Sequence, residues 1–143
     1  MAVKLFGKVL IATDGSENNR SALEEGIKVV RECGGAGYAV YVIDSRTLST
    51  SSAEIPVGDA CEVSMEEAKK AFDLLKSMSG DVKFETKILD GRPGMEIVKF
   101  AEKEGIDLIV IGTKGKKGLE RLLLGSVAEE VIRSATCKVL VVK

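Results

Sequence analysis

Short uninterrupted apolar runs alternate with longer amphipathic stretches along this chain. Val9-Leu10-Ile11-Ala12 contains no polar residue, the pattern of a strand covered on both faces. It opens into Thr13-Asp14-Gly15-Ser16, a turn that can also cap a helix. Leu23, Ile27 and Val30 then recur at helical spacing until Gly34-Gly35 stops the helix. Tyr38 to Ile43, rich in β-branched and aromatic residues, predicts a second strand. Ser45 to Asp59 is polar and without period, and reads as a long excursion over one end of the sheet. Met65, Ala68, Phe72 and Leu75 mark a second helix whose stripe is expected in the core. Val82 to Leu89 alternates in part, as a third strand near a sheet edge would. Pro93 suits a first helical turn, and Ile97, Phe100 and Ala101 carry a third helix to its stop at Glu104-Gly105. Leu108 to Ile111 is the fourth buried run. Ser126 to Ser134 predicts a last helix with Val127, Val131 and Ala135 on one face, and Val139 to Val142 a fifth strand.

The order βαβαβαβαβ implies one α/β domain over 1–143, an open, doubly wound parallel sheet of five strands with helices on both faces. The 143 residues are 45% hydrophobic and 30% charged, as expected of a globular chain. Lys and Arg number 21 against 22 Asp and Glu, for a net charge of −1. That balance supplies no global field for nucleic acid or an anionic membrane, so neither is expected as a partner, and any anion site must be local. The chain has no His, which removes His-dependent triads, Cys-His dyads and imidazole metal sites. Cys33, Cys61 and Cys137 form no CxxC and read as small buried hydrophobes in a reducing compartment. With no signal-like N-terminus and no 18-residue apolar segment, a cytoplasmic protein is expected.

Open parallel sheets bind ligands beyond the carboxyl ends of their strands, where strand order reverses. The loops after strands one and four should meet there. The first offers Ala12-Thr13-Asp14-Gly15; the second offers Gly112-Thr113-Lys114-Gly115, then Gly125-Ser126-Val127 at the start of the last helix. Glycines allow close backbone approach, and the N–H groups of a first helical turn attract an anion. Lys114, Lys116, Lys117 and Arg121 add local positive charge, although Lys116 and Lys117 also read as solvated loop residues. GxxxxGK[ST] and GxGxxG are both absent. On the residues alone the alternatives stay open: Gly112 and Gly115 as a plain turn, Ser126 as a helix cap, Asp14 as a turn residue.

Gly112-x2-Gly115-x9-Gly125-Ser126 resembles the glycine signature of the nucleotide-binding branch of the universal stress protein family. The flanks Gly118-Leu119-x-Arg121-Leu122-Leu123-Leu124 and Cys137-x-Val139-Leu140-Val141-Val142 are similar too, as are Ile11-Ala12-Thr13-Asp14-Gly15-Ser16 and Tyr41-Val42-Ile43-Asp44. The resemblance spans essentially the whole chain. It implies strand order 3-2-1-4-5 and an ATP pocket, with Mg²⁺ or Mn²⁺ bound, if at all, through the phosphates. Val42 would meet adenine through its backbone, and Asp14 and Gly112 would lie near the ribose. Gly115, Gly125, Ser126 and Val127 would hold the phosphates, with Ala12 and Thr13 as the floor. The chain departs from the family pattern at Ala12 and Lys138, where Pro is common, and at Lys114, where His is frequent.

The expected function is therefore an ATP-binding stress or signalling module. The alternatives are a slow Mg-dependent ATP hydrolase and a family member that acts through protein contacts alone. No catalytic residue is singled out, because no positioned base or paired carboxylates stand near the phosphate loop, so at most a weak ATPase is expected. A receiver domain of similar topology is excluded by the lack of an acidic neighbour before Asp14. Val139 to Val142 reads as an uncovered edge strand that invites antiparallel pairing with a second copy in a homodimer, unless a helix or the 45–59 excursion covers it.

Overall fold

The computed structural model describes residues 5–44, 57–113 and 124–143, with the side chains of 57–61 left aside. The elements are β1 (Lys8–Ala12), a 3₁₀ turn (Glu17–Asn19), α1 (Arg20–Cys33), β2 (Ala36–Asp44), α2 (Val57–Ser79), β3 (Phe84–Gly91), α3 (Pro93–Glu104), β4 (Leu108–Gly112), α4 (Ser126–Ser134) and β5 (Lys138–Val142). They form one parallel five-stranded sheet in the order β3-β2-β1-β4-β5. The expected fold class and strand order are both found.

Strand periodicity divides the core in two. Val9 and Ile11 point to one face, where they meet Leu23, Ile27 and Val30 of α1 and Ala68, Ala71, Phe72 and Leu75 of α2. Leu10 and Ala12 point to the other, against Ile97, Val98 and Ala101 of α3 and Ala128 and Val131 of α4. Both faces of β1 and β4 are thus covered, which is why their sequences show no polar alternation. Leu10, Ile11, Leu23, Leu75 and Ile109 are among the largest fully buried side chains, each worth about 1.5–3 kcal/mol relative to exposure.

Three expectations need correction. Met65 is 46% exposed and lies outside the core, as does Val63 at 54%. Glu67 of α2 is level with Tyr41, whose hydroxyl it accepts at 3.1 Å. Nearer its amino end α2 runs past the point where β1 stops, opposite Val40, so less sheet lies beneath it. Second, β3 begins at Phe84 rather than Val82, because the Val82 N–H is held by the Ser79 carbonyl in a turn. Third, residues 57–59 of the expected excursion belong to α2, while 45–56 lie outside the described residues.

Close approach of α1 to β1 rests on Gly26. A Cβ there would come within 2.5 Å of Ile11 Cδ1 and 2.6 Å of its Cγ1, in a fully buried position. Gly26→Val is expected to cost about 1–3 kcal/mol through overpacking, read as a lower urea midpoint; an unchanged midpoint would contradict this packing.

Candidate functional site

Strand order reverses between β1 and β4, and Ala12, Thr13, Asp14 and Gly112 stand at or just past their carboxyl ends. The β1–β4 ladder comprises Val9↔Leu108, Leu10↔Ile109 and Ile11↔Val110. Past Val110, β4 continues beside β5 as far as Gly112↔Val142. The two central strands therefore part beyond Ile11, which opens the crevice expected of this topology.

Backbone bonds flank that crevice on both sides. The Thr13 N–H donates to the Val40 carbonyl at 3.0 Å, closing the β1 side. On the other side the Thr113 N–H donates to the Val142 carbonyl at 3.0 Å, and the Thr113 carbonyl accepts from the Gly125 N–H at 2.7 Å. This last bond fastens the start of α4 to the end of β4. Gly125 is the N-cap, with φ −63° and ψ 154°, and no side chain caps the helix. Ser126 is thus the first helical residue and not its cap. The N–H groups of Ser126, Val127 and Ala128 belong to the first turn, where no intrahelical acceptor exists. Their partial positive charge stands beside the Thr113–Gly125 bond, at the carboxyl end of β4.

Val42 reaches the same end by a different route. β2 runs to Asp44, four residues beyond Val40, which lies opposite the last residue of β1. In a parallel ladder, residues two apart turn their N–H and C=O groups to the same side. Val40 faces β1 through the Thr13 bond, so Val42 faces that side too, where no residue of β1 remains to pair with it.

Asp14 is committed locally. Its Oδ1 accepts the Ser16 N–H at 2.9 Å and the Ser16 hydroxyl at 2.6 Å, while Thr13 Oγ1 accepts the Gly15 N–H at 3.2 Å. This Asx turn needs Gly15 at φ +77°. Gly112 has a packing reason of its own: a Cβ there would point into the protein, 3.3 Å from Asn19 Nδ2 and 3.6 Å from the Ala22 Cβ. Gly115 and the basic residues Lys114, Lys116, Lys117 and Arg121 lie outside the described residues. The residue that sequence reasoning passed over is Asn19, buried beside Ala12 and Gly112. One Asn in a polar turn carries no signal of that placement.

Among the described residues no group of three His, Cys, Asp or Glu could hold a metal ion. No described helix is long and apolar enough to cross a membrane. A cavity of about 670 Å³ lies at the opposite, amino end of the sheet, where Phe6, Asp107, Cys137 and Lys138 line it.

The profile of the universal stress protein family matches residues 5–143. This chain belongs to that family. It is 45% identical over 141 residues to a universal stress protein of Methanocaldococcus jannaschii, covering 97% of this chain and 83% of the relative. A second protein of that organism, also named as a universal stress protein, has a solved structure that superposes with a TM-score of 0.82 at 37% identity, covering 97% of this chain and 96% of the other. The universal stress protein of Archaeoglobus fulgidus in complex with dAMP shares the fold, with a TM-score of 0.67 at 22% identity over 99% of this chain and all of that one, 100%.

Of the three cysteines, Cys33 and Cys137 are free thiols in the described chain. Burial pushes the Cys137 thiol up, with a further push from the Asp107 carboxylate, partly offset by backbone hydrogen bonds. A raised thiol pKa leaves less thiolate at pH 8. Cys137 is expected to react with iodoacetamide more slowly in the native protein than in the unfolded chain, with the gap narrowing toward pH 10. Site-resolved mass spectrometry of the alkylated peptides reads this out, and equal native and unfolded rates at pH 8 would refute it.

Proposed function

We propose that this protein is an adenine-nucleotide-binding module, with ATP as its ligand, and that residues 1–143 act as one such domain in the cytoplasm. The observation that carries the reading is the junction of Thr113 and Gly125, which fixes an uncapped helix start beside the parting of β1 and β4. Gly115, Gly125, Ser126 and Val127 hold the phosphates in this reading. Ala12 and Thr13 form the floor, Asp14 and Gly112 lie near the ribose, and the Val42 backbone meets the adenine edge. Adenine presents a donor and acceptors along one edge, which suits a strand backbone whose N–H and C=O face an empty ladder position. A divalent cation at this site would be carried by the phosphates, since the described protein supplies no cluster of its own. The A. fulgidus complex with dAMP supports the ligand class. Free cysteines fit a reducing compartment.

Cradling a phosphate in the ground state does not accelerate its transfer, so the module holds its nucleotide and turns it over slowly at most. Denaturing freshly purified protein and identifying the released nucleotide tests the ligand. Gly125→Val tests the phosphate site: the Gly125 backbone is extended, a conformation that valine adopts without strain. ATP affinity in calorimetry is expected to fall at least about tenfold, or 1.4 kcal/mol, with the circular dichroism unchanged. Parent-like affinity in the variant would move the phosphates elsewhere. An empty parent with no ATP signal would favour a member acting through protein contacts alone.

The same module is proposed to dimerise through β5. The sheet has two edges, and they differ. β3 exposes Glu85, Lys87 and Asp90 along its length, charges that discourage strand pairing. β5 carries charge only at Lys138, with Lys143 just past it, and its Leu140 is 36% exposed. Leu124 and Ile132, before and within α4, are exposed apolar residues as well. A second copy adding its β5 antiparallel would cover both edges in a two-fold interface. Light scattering at micromolar concentration is expected to give a dimer for the parent and a monomer for Val141→Pro, which removes a donor. A monomeric parent refutes the dimer, and a dimeric variant puts the interface elsewhere.

A further inference from the structure

We infer that Asn19 is a positioning residue for the crevice: its carboxamide, bonded to the end of β1 and packed toward the end of β4, sets how far apart their carboxyl ends stand. Backbone pairing between these strands stops at Ile11↔Val110. Immediately past it, Asn19 Nδ2 donates to the Ala12 carbonyl at 3.5 Å, a long bond. The same nitrogen lies 3.3 Å from the point where a Gly112 Cβ would stand. One carboxamide is therefore bonded to the last residue of β1 and lies on the side of Gly112, the last residue of β4, where a side chain would stand.

The position is not explained by stability. Asn19 is 5% exposed, and its Oδ1 is buried with no hydrogen-bond partner among the described residues. Leaving an acceptor unsatisfied in the interior is costly, and native proteins rarely do so away from functional sites. An apolar residue would avoid that cost but would bond to nothing on β1. Asn19 also closes the 3₁₀ turn, its N–H donating to the Ser16 carbonyl at 3.1 Å, and Ser16 is the residue that Asp14 holds. Asn19 thus links the Asp14 turn to the β1 end, through its backbone N–H on one side and its carboxamide on the other, beside the β4 end. A Cβ at Gly112, in turn, would press on this amide.

The consequence for ligand binding rests on the adenine-nucleotide reading, and the test separates the two. Asn19→Ala, Gly112→Ala and the double variant are compared by ATP calorimetry and by thermal unfolding. Asn19→Ala removes the strut, and Gly112→Ala displaces it. Each single variant is expected to lose about fivefold in ATP affinity, and the double variant about fivefold again rather than twenty-five-fold, because residues sharing one contact are not additive. In Asn19→Ala the melting temperature is expected to stay near that of the parent, so affinity and stability separate as they would not for a purely structural residue. Should Gly112→Ala aggregate, recovery of folded protein in the double variant shows the same coupling. Additive losses of affinity, or parent-like affinity in Asn19→Ala, overturn the inference. If the parent itself binds no adenine nucleotide, the nucleotide reading falls; non-additive melting temperatures across the same variants then support the strut and additive ones overturn it.

Discussion

Everything at the carboxyl end of this molecule follows from two strands that must be neighbours and cannot stay paired. β1 and β4 are covered by helices on both faces, so their backbone groups have only each other and the flanking strands to satisfy them. They pair over three positions and then part, because the chain leaves β1 toward α1 on one face and leaves β4 toward α4 on the other. Twist and opposite departures open a crevice at that point, and no other place in the sheet has this geometry. The longer ladders on either side, β2–β3 and β4–β5, continue past it and form its walls.

What those walls present is mainly backbone. The described part of the crevice offers helix N–H groups at α4, the Val42 peptide groups and the small residues Ala12 and Thr13. One carboxylate is there, and its Oδ1 is engaged by Ser16. Fixed dipoles of this kind bind an anion without reorganising long side chains, so little side-chain entropy is lost. Backbone recognition also explains how a chain with balanced charge and no His can carry an anion site in the proposed role.

The opposite end of the sheet is built differently. There the Asp107 carboxylate accepts the Lys8 N–H at 2.9 Å, the Lys8 carbonyl accepts the Asp107 N–H at 2.9 Å, and the Lys8 ammonium caps the Glu104 carbonyl at 2.8 Å. These bonds tie the amino ends of β1 and β4 together. The strands are thus clamped at one end and spread at the other, and the spread end is the one the sequence marks with glycines.

The sequence by itself determined the elements and their order. Uninterrupted apolar runs are legible because a strand covered on both faces tolerates no polar side chain, and helical stripes because one helix face must be buried. The spacing of Gly112, Gly115, Gly125 and Ser126 likewise pointed to the switch point and to the family. Only the tertiary structure decided which glycine does what. Gly125 is a cap and Gly112 faces an amide seven residues beyond Ala12, and no local pattern distinguishes them. It also decided that Val42 outruns β1, since unequal strand lengths become visible only when strands are in register. Met65 fits the helical period of its neighbours yet lies exposed, because a period reports direction around a helix and not how far the sheet beneath it extends. Asn19 was invisible for the same reason: its meaning comes from two strand ends that are a hundred residues apart in sequence and side by side in space.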